Sequence, residues 1–434
     1  MTMHAADTPP MGWNSWDVYG ASVTEDEVER NARYLAENLL KSGWEYVVVD
    51  GGWYEPAATS SKMRPFAQLE LDDWGRLLPA VNRFPSAVGG AGFKVLADRI
   101  HDLGLKFGIH AMRGIPRQAV HLNLPINGTS VRASEIAAID SICSWNTDMY
   151  GVLPASVGAQ RYYDSLFELY GSWGVDYVKF DDVLNPYSQG EIDLIRNAAE
   201  LCSREIVVSL SPGPTALERA DHLKLKPTLW RISDDFWDRW EDLYQAFETC
   251  ARWAPYSGSG RWPDADMLPI GHVAVRSLER GIGDRWSRFS KDEQVCLMTL
   301  WCMARSPLML GAELSDLDDW TASLLTNAEV FRVLKQSHNP RQLYRYGDHI
   351  AWTSQHDHGD TYLAVFNTGV VPAAIETNLA SMGLNGPCEV RDLWQKCDLD
   401  PVERLVAVVV PSHGARMLRL RLASQSLSRG QARG

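Results

Sequence analysis

Three short runs end in carboxylates, two of them with a cation at a spacing that suits acid–base chemistry. In Asp176-Tyr177-Val178-Lys179-Phe180-Asp181, strand alternation sets Tyr177, Lys179 and Asp181 on one face and Val178 with Phe180 on the other. An ionised Lys–Asp pair on an inward face is costly unless the charges satisfy each other. The pair is therefore either a buried structural salt bridge or part of a site. Trp230-Arg231-Ile232-Ser233-Asp234-Asp235 repeats the logic: if extended, Arg231, Ser233 and Asp235 share a face and Asp234 looks away. A third run, Tyr46-Val47-Val48-Val49-Asp50, also ends in a carboxylate.

Two carboxyl groups in different surroundings, one ionised and one protonated, are the equipment for cleaving a glycosidic bond with retention. Metal-assisted hydrolysis is the competing chemistry, and it usually draws His ligands from strand ends. Only His110 holds such a place. His356-Asp357-His358 falls in a polar stretch and reads as a solvated turn. Neither phosphate-binding glycine pattern occurs, nor does a G-x-S-x-G elbow.

The elements that must position these residues alternate. Eight short apolar runs, at Met11–Trp13, Tyr46–Asp50, Lys106–His110, Val175–Asp181, Ile206–Leu210, Leu229–Ser233, around Arg261–Trp262 and at Leu308–Leu310, read as buried parallel strands. Helical stretches such as Ala159–Trp173, Glu191–Leu201 and Lys291–Met303 separate several of them. Thr24 with Glu27 forms a capping box, Val28, Ala32, Leu35 and Leu39 continue at helical spacing, and Gly43 ends that helix. The pattern predicts an α/β fold, a (β/α)8 TIM barrel over residues 8–338. Insertions at Trp53–Gly92 and Met112–Gly158 follow strands and are expected to shape a cleft. From 339 to 422, strand-like runs between Gly, Asp, His and Pro turns predict a C-terminal antiparallel β-sandwich. Residues 423–434 read as a flexible tail.

Composition narrows the partners. Lys and Arg number 42 against 55 Asp and Glu, a net charge of −13, which argues against nucleic acid or an anionic membrane as partner. No apolar run approaches a membrane span, and the first residues show no secretory pattern, so a cytoplasmic location is expected. Seven cysteines without paired spacing read as buried thiols in a reducing compartment, not as a disulfide or zinc framework. Several of the 17 tryptophans can offer flat faces to a sugar ring. The acidic surface is compatible with a homo-oligomer, and nothing in the sequence chooses.

Five motifs occur in order. Pro9-Pro10-Met11-Gly12-Trp13-Asn14-Ser15-Trp16, Val49-Asp50-Gly51-Gly52-Trp53, Val178-Lys179-Phe180-Asp181, Trp230-Arg231 with Asp235, and Gly260-Arg261-Trp262-Pro263-Asp264-Ala265-Asp266-Met267-Leu268 together resemble glycoside hydrolase family 27, the α-galactosidase (melibiase) family. The resemblance implies a retaining hydrolase of terminal α-galactosides that works by double displacement without cofactor or metal, on an oligosaccharide or glycoside. By it, Asp181 would be the nucleophile and Asp235 the acid/base. Lys179, Arg231 and Asp50 would bind sugar hydroxyls, and Trp16 would wall the pocket.

Departures from the family pattern bear on the sugar. Gly51 stands where α-galactosidases carry a second Asp for the outer hydroxyls, and Ser211 where they tend to carry a Glu near the 2-hydroxyl. His110 replaces a typical pocket Tyr, and cysteines that often pair are missing at Gly52 and Val183. The alternatives are therefore an isomaltodextranase-like, β-L-arabinopyranosidase-like or α-N-acetylgalactosaminidase-like enzyme, or a glycan-binding barrel without catalysis. Against the last stands the presence of both Asp181 and Asp235. In the second insertion, Arg113 or Arg117 either contacts substrate or ties the loop to barrel acids, and Trp145 is either an aglycone platform or loop packing. Asn127-Gly128-Thr129 fits a glycosylation sequon.

Overall fold

The computed structural model describes residues 6–60, 62–226 and 228–423. The chain divides into two compact units. One comprises residues up to Phe289 with Ser306–Thr326, the other Ser290–Arg305 with the residues from Asn327 onward.

The first unit carries eight parallel strands: β1 (Met11–Asn14), β2 (Tyr46–Val49), β3 (Lys106–Met112), β4 (Tyr177–Asp181), β5 (Val207–Leu210), β6 (Thr228–Arg231), β7 (Arg261–Asp264) and β8 (Leu308–Leu310). Their order is β7-β6-β5-β4-β3-β2-β1-β8. Leu268 bridges the seam between β7 and β8: its N–H donates to Met309 O at 2.8 Å, and it pairs in parallel with Leu310. The TIM-type barrel is as expected.

Side chains from β2, β4, β6, β7 and β8, among them Tyr46, Tyr177, Leu229, Trp262 and Met309, fill the interior as a packed cluster. Gly12 lets β1 approach β2, since a Cβ there would fall 2.4 Å from Tyr46 O. The helix after β1 begins at the Thr24–Glu27 capping box as read from sequence, runs through Glu25–Tyr34 and a π turn over Leu35–Leu39, and ends at Gly43 with φ +100°. Helices Ala159–Trp173 and Gln189–Leu201 match expectation to within two residues.

The insertion after β3 holds more structure than its sequence suggested. Ile115–Pro116, Met149–Val152 and Ala137–Ile142 form a three-stranded antiparallel sheet. The insertion after β2 is mostly turns, and the buried guanidinium of Arg83 holds it by donating to the carbonyls of Ala21, Val23, Gly52 and Glu55.

The second unit contains helices Lys291–Ala304 and Ala328–Gln336 and strands β9 (Ser337–Tyr346), β10 (His349–His356), β11 (Thr361–Asn367), β12 (Ala373–Asn378), β13 (Cys388–Asp392), β14 (Cys397–Val402), β15 (Leu405–Val410) and β16 (Gly414–Leu422). A six-stranded antiparallel sheet, β9-β10-β11-β16-β13-β14, and the pair β12-β15 enclose a core that includes Leu363, Ile375, Val390, Val406 and Leu418. This is the expected β-sandwich. The tail expected to be flexible falls, beyond Ala423, outside the described residues. All seven cysteines are unpaired, and five of them are buried. Among the described residues no helix is long and apolar enough to cross a membrane.

Candidate active site

The register of the barrel gathers the chemistry at one rim. Val49 pairs with Ile109, and His110 with Lys179, so Asp50, His110 and Lys179 emerge side by side at the C-terminal strand ends. There a pocket of about 280 Å³ opens. Seven of the eight residues singled out from sequence line it: Trp16, Asp50, His110, Lys179, Asp181, Arg231 and Asp235.

Asp50 is the centre of a fixed network. Its Oδ2 accepts from Lys179 Nζ at 3.0 Å and Asn14 Nδ2 at 2.7 Å, and its Oδ1 from the Gly51 N–H at 2.8 Å. Burial pushes its carboxyl up, but Lys179, His110 and these hydrogen bonds more than offset that and hold it well below the usual carboxylate range. Lys179 feels the reciprocal effect: burial lowers its pKa, yet Asp50 and Asp181 raise it above the usual lysine value.

Asp181 is held by both oxygens. Oδ2 lies 3.2 Å from His110 Nε2, and Oδ1 accepts the Asp182 N–H at 2.9 Å. Burial raises its pKa, whereas the His110 hydrogen bond and the Lys179 charge outweigh burial and lower it below normal. Asp235 is in different surroundings. Its side chain is 65% exposed and, among the described residues, bonded only on one side, to Arg231 Nη2 at 3.1 Å. Arg231 itself is buried and pairs at 2.7 Å with Asp266. Burial, with Asp235 and Asp264 nearby, pushes Asp266 up to about 6 although Arg231 opposes it.

Behind Asp181 lies a second ionic layer. Arg113, 4% exposed, donates to the Asp182 carbonyl and carboxylate and, at 2.7 Å, to Glu191, which also accepts from Tyr163. Of the two readings of Arg113, the loop-tying one describes this geometry. Arg117 instead lies between the rings of Phe66 and Tyr150, at 4.7 and 4.9 Å, and donates to Thr147 O. Trp145 lines the pocket and is 43% exposed.

Two sequence expectations need correction. Ser211 does not reach the pocket. It is fully buried, its Oγ lies 3.5 Å from Phe180 O, and it faces a cavity of about 20 Å³ in the barrel interior; Pro212 and Gly213 form the wall instead. Asp234 does not face away. β6 ends at Arg231, the chain bends, and Asp234 accepts from the Asp235 N–H at 2.9 Å, so both acids line the pocket while Ser233 turns to Ala265 O.

Sequence reasoning also assigned no role to Asp17 and Asp266, which line the pocket beside Arg231 and Asp235. The acid-rich run at the end of β7, which is also the fifth motif, was the available signal for Asp266. Asp17 sits on a helical turn where no strand alternation marks it. A Cβ on Gly51 would fall 2.9 Å from the Met63 methyl and 3.3 Å from His110 Cε1, so those two side chains occupy the ground beside Gly51. His110 Nδ1 is buried with no partner among the described residues.

Comparisons with known proteins agree with this architecture. A family model described as alpha galactosidase A matches residues 8–153 and 147–336, and one described as alpha galactosidase C-terminal beta sandwich domain matches residues 346–420. A solved β-L-arabinopyranosidase of glycoside hydrolase family 27 from Geobacillus stearothermophilus is 55% identical with a TM-score of 0.95, covering 98% of each chain. A Bacillus halodurans structure, provisionally assigned as an α-N-acetylgalactosaminidase, is 48% identical with a TM-score of 0.88, over 97% of this chain and 99% of that one. The Coffea arabica α-galactosidase is 28% identical over 94% of this chain and 93% of its own length.

Proposed function

The chain belongs to the α-galactosidase A family, glycoside hydrolase family 27, and from that membership we propose that it removes a terminal pyranose by double displacement, with β-L-arabinopyranosides preferred to α-D-galactosides. The carrying observation is the contrast between two acids in one pocket: Asp181 buried and held ionised, Asp235 exposed and bonded on one side only. Asp181 attacks the anomeric carbon and forms the glycosyl-enzyme while the glycosidic C–O bond breaks. Asp235 gives its proton to the departing oxygen, then takes one from the water that releases the sugar. Lys179, Asp50 and Arg231 bind ring hydroxyls, and Lys179 keeps Asp181 charged. His110 orients the nucleophile, and Trp16 packs on the sugar.

The sugar preference rests on Gly51. β-L-Arabinopyranose has the configuration of α-D-galactose without the exocyclic hydroxymethyl. Position 51 offers that group no carboxylate, and the Met63 methyl stands there instead. An N-acetylated sugar draws no support from Ser211, because Ser211 lies outside the pocket.

A panel of nitrophenyl glycosides, with product stereochemistry followed by NMR, tests the reading. The arabinopyranoside should be cleaved fastest and with retention. Asp181→Gly should lose turnover, and azide should restore it as a glycosyl azide of inverted configuration. Absence of turnover on the whole panel together with absence of rescue would overturn the assignment.

A further inference from the structure

A second cavity, of about 500 Å³, opens beside the first and is built by the same two insertions. Met63 and Trp145 line the catalytic pocket, while Phe66 and Thr147 line this one. Two and three residues separate them along the chain, roughly 7–11 Å at most. The Phe66 N–H donates to Thr147 Oγ1 at 3.2 Å and ties the two insertions together.

The lining has the composition of a saccharide site, a flat apolar face with a few convergent polar groups. Phe66 is 75% exposed although it is the largest apolar side chain there. Arg117 is stacked between Phe66 and Tyr150, which fixes the guanidinium plane, and among the described residues Thr147 O is the only acceptor its side chain meets. Asp148 is 4% exposed; its Oδ2 accepts from the Tyr54 hydroxyl at 3.4 Å, while among the described residues its Oδ1 meets no hydrogen-bond partner. A buried carboxyl oxygen without a donor is expensive, and a hydroxyl-bearing ligand would supply one. Burial and Glu55 push this carboxyl up to about 6.

We infer that this cavity receives the leaving-group side of an oligosaccharide substrate, one or two sugar units beyond the bond that is cut, stacked on Phe66 and hydrogen-bonded by Arg117 and Asp148. The inference rests on the glycosidase reading above, and it gives the two insertions a common purpose. They carry the substrate chain away from the pocket instead of only walling it.

Binding and turnover separate the two claims. Galacto-, xylo- and mannotriose, all β-linked, are tested for binding to wild type by saturation-transfer NMR, with Phe66→Ala and Arg117→Met as controls and denaturation curves to verify folding. At least one triose should bind wild type. Its affinity should fall about 3- to 10-fold in Phe66→Ala, as loss of one stacking contact implies, and about tenfold in Arg117→Met. Binding of none of the three, or binding that neither variant weakens, overturns the inference. Hydrolysis of the glycosyl fluoride, which has no leaving-group sugar, should stay within twofold of wild type in Phe66→Ala. Loss of fluoride turnover equal to the loss of oligosaccharide turnover would also overturn it. Failure of wild type on the fluoride counts instead against the catalytic reading.

Discussion

Arg113 grips Asp182 by backbone and side chain together. Its Nε donates to the carbonyl at 2.7 Å, and Nη2 donates to Oδ2 at 2.7 Å. Asp182 has φ +62°, a left-handed conformation that a residue with a Cβ adopts only when its surroundings hold it there. In that conformation its N–H reaches Asp181 Oδ1. Arg113 therefore acts through Asp182 to aim Asp181, the proposed nucleophile, as a positioning residue.

Arg113→Ala should lower kcat by about 10- to 100-fold with little change in KM. It should also cost about 3–5 kcal/mol of stability, because Asp182 and Glu191 are left as buried carboxylates without their cation. Asp182→Gly keeps the positive φ without strain and should retain more activity than Asp182→Val. Kinetics and denaturant titration of the three variants test this. Equal kcat for Asp182→Gly and Asp182→Val would show that the backbone angle does not matter.

His110 sets the acid limb of the pH profile. In the proposed mechanism Asp181 must be ionised to attack, and its pKa is lowered chiefly by the His110 hydrogen bond against the opposing effect of burial. Activity is then present above that depressed pKa and is lost as pH falls through it. His110→Phe removes the lowering contact and leaves the burial, so the acidic limb of kcat/KM should move upward, toward or past the ordinary carboxylate value near 3.9. A kcat/KM profile in the variant superimposable on wild type would rule out this role.

Much of this site was readable in the chain because strand alternation is a rigid rule. Once β4 is a strand, Lys179 and Asp181 must share a face, and Tyr177 below them must enter the barrel core. The rule failed where the strand stopped. Asp234 was misplaced because β6 ends at Arg231, four residues before Asp235, to which the extended reading ran. Ser211 was misplaced because it continues the inward alternation of Ser209 and lines the same small interior cavity, not the pocket. The sheet in the second insertion escaped because one of its strands is two residues long and another, Ala137–Ile142, does not alternate apolar and polar residues, giving no periodicity to read. The partition of Arg113 and Arg117 between the Asp181 surroundings and a separate cavity depends on contacts 69 and 78 residues away in one case and on ring stacking in the other. No local pattern encodes either.

Gly51 is where the sugar preference can be moved. The atom nearest a new Cβ is the Met63 methyl, the free end of a flexible side chain, so Gly51→Asp is sterically open once the thioether swings away. The added carboxylate would offer an acceptor to an exocyclic hydroxymethyl. It would also place a negative charge near Asp50 and Asp181, which should slow every substrate. In Gly51→Asp/Met63→Ala the ratio of kcat/KM for α-D-galactoside over β-L-arabinopyranoside should therefore rise by about tenfold, the worth of one charge-assisted hydrogen bond. An unchanged ratio in the double variant would detach position 51 from sugar choice.

The Asp50–Lys179 pair ties stability to the same residues. Both are buried, at 2% and 14% side-chain exposure, and stand 3.0 Å apart. Replacing Asp50 by Asn keeps the shape and the approach of Asn14 but leaves Lys179 with Asp181 as its remaining close anion. Breaking a buried pair in this way costs about 3–5 kcal/mol. The pH dependence carries a second signature. Asp50 has a folded-state pKa below its unfolded value, so its contribution is complete above the unfolded value and is lost as pH falls through the folded one. Wild type should lose stability on acidification below about pH 4 more steeply than Asp50→Asn, which has no proton to take up at this position. Urea titrations of both proteins across that range would show converging stabilities in acid. Parallel curves would mean that the pair contributes no proton linkage to folding.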